Sequence, residues 1–286
     1  MMMSGIFVGL STIDLIHTVD EFPSPNAKAV ARSQEVIVGG PATNAAITFS
    51  HLGGSATLVA VVGRHTLAGL VKEELPRYAV GLVDLTPESE DPPPISSVWV
   101  NQRGQRSIVS VNTTRFKIPP SQVDRSMLER ASILLVDGHS IEANVAWAEA
   151  ARLNQIKVIF DGGSWKPETE QLLKFVDTAI CSADFRPPRC TSEDEAVQYL
   201  QAAGVLHIAI TKGADPIRFV TAASAGYVEV PHVDAIDTSG AGDIFHGAFC
   251  FHIAAGSSFL DALREAANIA AESCRYKGTR EWMSRR

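Results

Sequence analysis

A carboxylate set among very small residues at the mouth of a helix has the clearest chemical use in this chain. Asp243 closes the string Asp237-Thr238-Ser239-Gly240-Ala241-Gly242-Asp243. Upstream, Tyr227-Val228-Glu229-Val230 alternates as a strand does. Downstream, Ile244, Ala248, Phe249 and Phe251 recur at helical spacing. Amide N–H groups at a helix N-terminus are unpaired, and the helix dipole adds partial positive charge there. Gly240, Ala241 and Gly242 can therefore form a pocket for an anion that gains charge during a reaction. An acid in such a pocket would repel the anion, unless it orients a hydroxyl and takes its proton as that oxygen attacks phosphorus. The four residues G-A-G-D alone also fit a tight turn followed by a favourable first-turn acid.

The longer string D-T-S-G-A-G-D-x-F-x-G-A is more specific, and it resembles the signature of the ribokinase-like (PfkB) sugar kinase family. The resemblance implies that Asp243 is the catalytic base and that Gly240, Ala241 and Gly242 make the anion hole. A second string, Gly39-Gly40-Pro41-Ala42-Thr43-Asn44-Ala45-Ala46, follows Asp14, which lies just after the first strand. Paired glycines permit close backbone approach, and an Asn offers both a donor and an acceptor to a polyol. Alone these features suit a capped turn and an ordinary helix entry. In their order along the chain they match the family, where Asp14, Gly39, Gly40 and Asn44 would hold the sugar.

The same resemblance places ATP at Thr211, Lys212 and Gly213, with Asn268 on the adenine side, where an ordinary solvated helix residue is the plain alternative. Ala214-Asp215-Pro216 stands where the family has a further glycine. Most of the family carries an N-x-x-E motif that organises Mg2+ through water. Here Ser182 and Phe185 occupy those two positions, leaving Asp184 or Glu193 as substitutes, or the nucleotide phosphates and water as the main holders. A monovalent cation such as K+ would belong near Asp237 and Ser239. Lys28 and Arg106 are candidates for meeting an anionic group on the substrate, with solvated surface charge as the plain alternative. His246 reads as a packed histidine, and Asp161, ahead of Gly162-Gly163, as either a cleft residue or part of a turn.

The end of the anion string, the missing N-x-x-E and Lys28 ahead of Val30-Ala31-Arg32 lean toward the ketohexokinase and sulfofructose kinase branch, hence toward a ketose or ketose derivative. A nucleoside kinase of the same fold is the alternative, with Trp99 and Phe116 as its stacking candidates. A non-catalytic sugar or nucleotide sensor is the rival from another class.

These residues need a frame, and apolar patterning supplies one. Ile6-Phe7-Val8, Thr57 to Val62, Ile133 to Val136, Lys157 to Phe160 and His207 to Thr211 are short, near-continuous runs, as strands buried on both faces should be. Helical patterns intervene at about 41–53, 66–79, 141–154, 192–203, 243–255 and 258–275. The βα rhythm predicts one α/β domain over 1–286 with a mainly parallel sheet, helices on both faces and ligands at the strands' carboxyl ends; the resemblance implies that this is the three-layer ribokinase-like fold. An edge strand over 28–38 and a hairpin over 95–111 break the rhythm. They predict a small β lid from segments of about 12–38 and 92–114, with an extension of the main sheet's edge as the plain alternative; the resemblance implies the lid, and pairing through it into a homodimer.

Composition narrows the alternatives. The 286 residues are 45% hydrophobic and carry a net charge of −7, which argues against nucleic-acid binding. No apolar run approaches the roughly 18 residues of a membrane span. The start, Met1 to Gly9, lacks a basic region and cleavage site. Cys181, Cys190, Cys250 and Cys274 form no C-x-x-C pair, so a reduced cytoplasm is the expectation and Asn112-Thr113-Thr114 a chance glycosylation triplet.

Overall fold

Strands made almost wholly of apolar residues have no wet face, so helices must cover both sides of the sheet they form. That is the arrangement in the computed structural model, which describes residues 3–111, 113, 116, 118 and 123–285. Seven parallel strands make the sheet: β1 (Ser4–Gly9), β4 (Ser55–Ala60), β5 (Val80–Asp84), β8 (Ile133–Val136), β9 (Lys157–Gly162), β10 (Thr178–Ser182) and β11 (His207–Lys212). Antiparallel β12 (Asp215–Thr221) and β13 (Ala225–Val228) complete one edge, giving the order β13-β12-β11-β10-β9-β8-β1-β4-β5.

Alternate side chains of the strands feed two cores. Phe7 packs with α1 (Pro41–His51), α2 (Ala68–Arg77), α7 (Ala241–Ala254) and α8 (Phe259–Ser273) on one face. Ile6 and Val8 pack with α3 (Arg125–Leu128), α4 (Ile141–Leu153), α5 (Thr169–Leu173) and α6 (Glu193–Ala202) on the other. The three layers expected from the βα rhythm are therefore present. Among the described residues no helix is long and apolar enough to cross a membrane, and the four cysteines are free.

A second sheet forms the lid: β2 (Thr12–Thr18), β3 (Ser33–Gly39), β6 (Ile95–Val100) and β7 (Arg106–Val111), in the order β3-β2-β6-β7. The expected hairpin is β6–β7. The expected edge strand starts five residues late, because 28–32 belong to the connection between β2 and β3. β2 itself was not anticipated; only Leu10 and Ser11 separate it from β1, so the chain reads there as one strand and its loop. Residues 112 and 114, in the expected second lid segment and the glycosylation triplet, lie outside the described residues, as do Met1 and Met2. The strand expected over 227–230 is β13, two residues earlier, and α7 begins at Ala241 rather than at 243.

Close crossing of α1 and α7 is what brings the two sequence strings together. A Cβ at Gly247 would stand 2.4 Å from the Ala45 carbonyl oxygen and 2.7 Å from the Thr48 Cβ. Only a hydrogen fits there, so the helices approach until Asn44, one turn into α1, faces the first turn of α7.

Candidate active site

Asp243 is the third residue of α7, behind the N-cap Gly240, whose φ of 66° and lack of a side chain suit glycine. A Cβ at Gly240 would press on Thr279 Cγ2 at 2.5 Å and approach Asn44 Nδ2 at 3.4 Å. The first amide inside the helix ladder is that of Ile244, which donates to Gly240 O. Ala241 N–H reaches Thr238 O at 3.3 Å, so of the three amides expected to form the anion pocket it has an internal acceptor. Those of Gly240 and Gly242, and that of Asp243 itself, have none among the described residues.

Asn44 Nδ2 donates to Asp243 Oδ2 at 2.6 Å, across 199 positions of sequence. Its other atom, Oδ1, is buried and has no hydrogen-bond partner among the described residues, and the same holds for the hydroxyl of Ser11. Buried polar atoms are rarely left unpaired, so both suit a hydroxyl-bearing ligand at this spot. Asp14, on β2, lies against the backbone of Gly39: a Cβ there would meet its Oδ2 at 2.3 Å. Gly40, with φ of 99°, is equally intolerant, because a Cβ would stand 2.3 Å from the Leu10 carbonyl oxygen. Asp14, Gly39, Gly40, Asn44 and Asp243 thus gather at the carboxyl end of β1, under the lid.

The electrostatics of Asp243 depart from the sequence expectation. A carboxylate near a helix N-terminus should ionise easily. Here burial, reinforced by the carboxylate of Asp161, pushes its pKa up to about 7, only partly offset by the Asn44 hydrogen bond and by His246. Burial likewise raises Asp14, against hydrogen bonds from Ser96 and Thr12 and the charge of Arg280. The sign for stability follows. The folded state holds the Asp243 proton more tightly than the unfolded chain, so ionising it costs the fold stability as pH rises from 3.8 toward 7. We expect Asp243→Asn to be more stable than the wild type at alkaline pH, by roughly 1–3 kcal/mol. The gap should close below the ordinary carboxyl value of 3.8. Paired urea melts at high and low pH measure this, and equal stability at both would show that the carboxylate is well solvated.

Asp161, at the end of β9, stands 3.5 Å from His246 Nδ1. His246 is buried, with Nδ1 facing Gly242 O at 2.7 Å and Nε2 facing Ile180 O at 3.2 Å, so it braces the first turn of α7 against β10. It is packed, as expected, but beside two carboxylates.

Three residues here escaped the sequence reading. Asp137, directly after β8, is buried and accepts from the amides of Leu10 at 2.8 Å, Ala42 at 3.3 Å and His139 at 2.8 Å, tying β1 and α1 to the end of β8. Lys166 sits beside Gly138, and its charge acts on both Asp161 and His139. Arg280 donates to Val38 O at 3.0 Å, lies 5.5 Å over the Tyr78 ring, and acts on Asp14 and Asp243. An acid directly after a buried strand was the available signal for Asp137. Nothing in the sequence pattern marks the other two.

Other candidates are placed less centrally. Thr211, next to last in β11, reaches Cys181 O at 3.4 Å; Lys212 pairs with Asp215 at 3.1 Å; Gly213, with φ of 58°, makes the turn into β12. Asn268 is exposed on α8 and Lys28 is exposed between the lid strands. Arg106, expected to face a substrate anion, pairs instead with Asp237 at 2.9 Å. In the stretch 182–185 the second position of the expected magnesium motif is filled by Phe185. Phe185 is buried against Phe160 and Trp165, Asp184 is exposed, and Glu193 is held by Arg218 at 3.1 Å.

The model of the pfkB family of carbohydrate kinases matches residues 4–285. The chain belongs to that family. Ketohexokinase of Mus musculus is 23% identical over 95% of this chain and 96% of its own length. Ribokinase of Haemophilus influenzae is 22% identical over 95% and 92%. Among solved structures, Arabidopsis thaliana ribokinase complexed with ribose and ATP superposes with a TM-score of 0.85 at 22% identity, covering 97% of this chain and 94% of that one. Ribokinase of Thermotoga maritima gives 0.82 at 22% identity, covering 100% and 99%. The protein is therefore a carbohydrate kinase, a phosphotransferase with an alcohol acceptor, on the ribokinase-like fold.

Proposed function

We propose that the protein transfers the γ-phosphoryl group of ATP to a hydroxyl of a sugar, with a ketose or ketose derivative as the leading acceptor class. The observation that carries the reading is the Asn44–Asp243 contact at 2.6 Å, which joins the two strings at one point of the cleft. The sugar lies between sheet and lid, its hydroxyls meeting Asp14, the Gly39–Gly40 backbone and Asn44 Oδ1. Asp243 takes a hydroxyl proton while the free amides of the α7 entry face the transferring phosphoryl group. The transition state of phosphoryl transfer is loose, so alignment and charge stabilisation supply most of the acceleration.

The nucleotide lies along the 211–213 turn toward Asn268, bringing its own Mg2+ held by phosphates and water. The whole chain acts as one kinase domain in a reducing cytoplasm. Exposed apolar side chains on the lid, Val36, Ile108, Val109 and Val111, suit pairing with a second copy. An ATP-consumption assay over ketoses, aldoses and nucleosides tests the reading. Turnover on a ketose supports it, turnover confined to nucleosides moves the protein to the nucleoside kinases, and nucleotide binding without any transfer contradicts it.

A further inference from the structure

We propose that Arg106 is a positioning residue for the anion pocket, its guanidinium standing at Asp237 in the place of a monovalent cation and coupling the lid to the loop that ends in Asp243. The proposal rests on the sugar-kinase reading above. Asp237 opens that loop, and its carboxylate accepts four hydrogen bonds, three of them on Oδ1. Oδ1 accepts from Ser239 N–H at 2.9 Å, from Ser239 Oγ at 2.6 Å and from Arg106 Nη2 at 2.9 Å. Oδ2 accepts from Gly278 N–H at 2.9 Å. A hard cation needs oxygen lone pairs turned toward it. Here Oδ1 is fully engaged by hydrogens and Oδ2 faces the Gly278 amide, and the adjacent positive charge is already covalently part of the lid. The donor set does not fit K+.

The charge has a reason to be there. Asp237 lies six residues before Asp243, beside a pocket that must gather phosphate oxygens, and an uncompensated carboxylate would work against it. Burial raises the Asp237 carboxyl, yet the donors from Ser239, Gly278 and Arg106 hold it below the usual range. Arg106 comes from β7, 131 positions away, so the compensation is present when the lid is seated and withdrawn when it lifts. A second tie runs the same way: Lys277, next to Gly278, pairs with Glu35 on β3. Lid closure and pocket formation are thus one event.

The test compares the wild-type chain with Arg106→Ala and Arg106→Lys in KCl, NaCl and choline chloride at equal ionic strength. Melting temperature with MgADP is read first, since it needs no acceptor, then kcat and KM on the best acceptor of the panel. The wild type should respond alike to all three salts. Arg106→Ala should lose about tenfold in kcat with little change in the sugar KM, and K+ but not choline should restore part of both the activity and the nucleotide-induced melting shift. Arg106→Lys, which keeps the charge, should stay within about threefold of wild type. Wild-type dependence on K+, a loss in Arg106→Ala that K+ does not relieve, or a rise confined to the sugar KM would overturn the proposal. A protein that binds MgADP but phosphorylates nothing on the panel would sink the kinase reading while leaving the melting comparison intact.

Discussion

Asp243→Asn should lower kcat by about 10²–10⁴-fold while leaving the KM for sugar and nucleotide close to wild type. The amide is isosteric with the carboxylate and can still accept from Asn44 Nδ2, now 2.6 Å away, so the floor of the cleft keeps its shape. What it loses is the ability to take a proton from the attacking hydroxyl. The helix-entry amides and the sugar contacts persist, which is why the loss has an upper bound. Steady-state kinetics with saturating ATP and acceptor give the number. Turnover within tenfold of wild type would remove Asp243 from the reaction.

Gly247→Ala should cost about 1–3 kcal/mol of stability and lower activity as well, although residue 247 lies a full turn beyond the base. The new Cβ would meet the Ala45 carbonyl oxygen at 2.4 Å, and that atom is backbone, so the strain is relieved only by moving α1 off α7. The shift would lengthen the Asn44–Asp243 contact, and misplacement by about 1 Å can cost up to 10²-fold in rate. Thermal melting beside kcat checks both halves. An unchanged melting temperature would mean that the helices are not held at contact by the glycine.

The legible parts of this chain were those written in local pattern. The buried strands, the helices between them and the β6–β7 hairpin follow from runs, periodicity and turn residues, and α7 departs from its expected span by two positions at its start and one at its end. The two glycine-rich strings, read through their resemblance to the family, name residues that the fold brings together, and glycine there serves close backbone approach and, at Gly40 and Gly240, a positive φ. What stayed hidden depends on distant partners. The Asp243 pKa follows from burial in the folded cleft, reinforced by Asp161 from a strand 82 positions earlier, and not from the helix dipole beside it. Arg106 looked like a free charge because Asp237, its partner, lies 131 residues on. Lys166 and Arg280 carry no motif; only the packing of β8, β9 and the chain's end places them near the carboxylates. Phe185 shows the converse, since its aromatic neighbours explain why no acid stands there.

The pH dependence of kcat/KM in the wild type and in Asn44→Ala bears most directly on the pairing of base and amide. The wild-type profile should fall off on the acid side with a midpoint near 7, the value for a buried Asp243. Because the Asn44 hydrogen bond lowers that value, its removal should move the midpoint to higher pH. A flat profile between pH 5 and 9, or a midpoint indifferent to Asn44, would contradict the role given to Asp243.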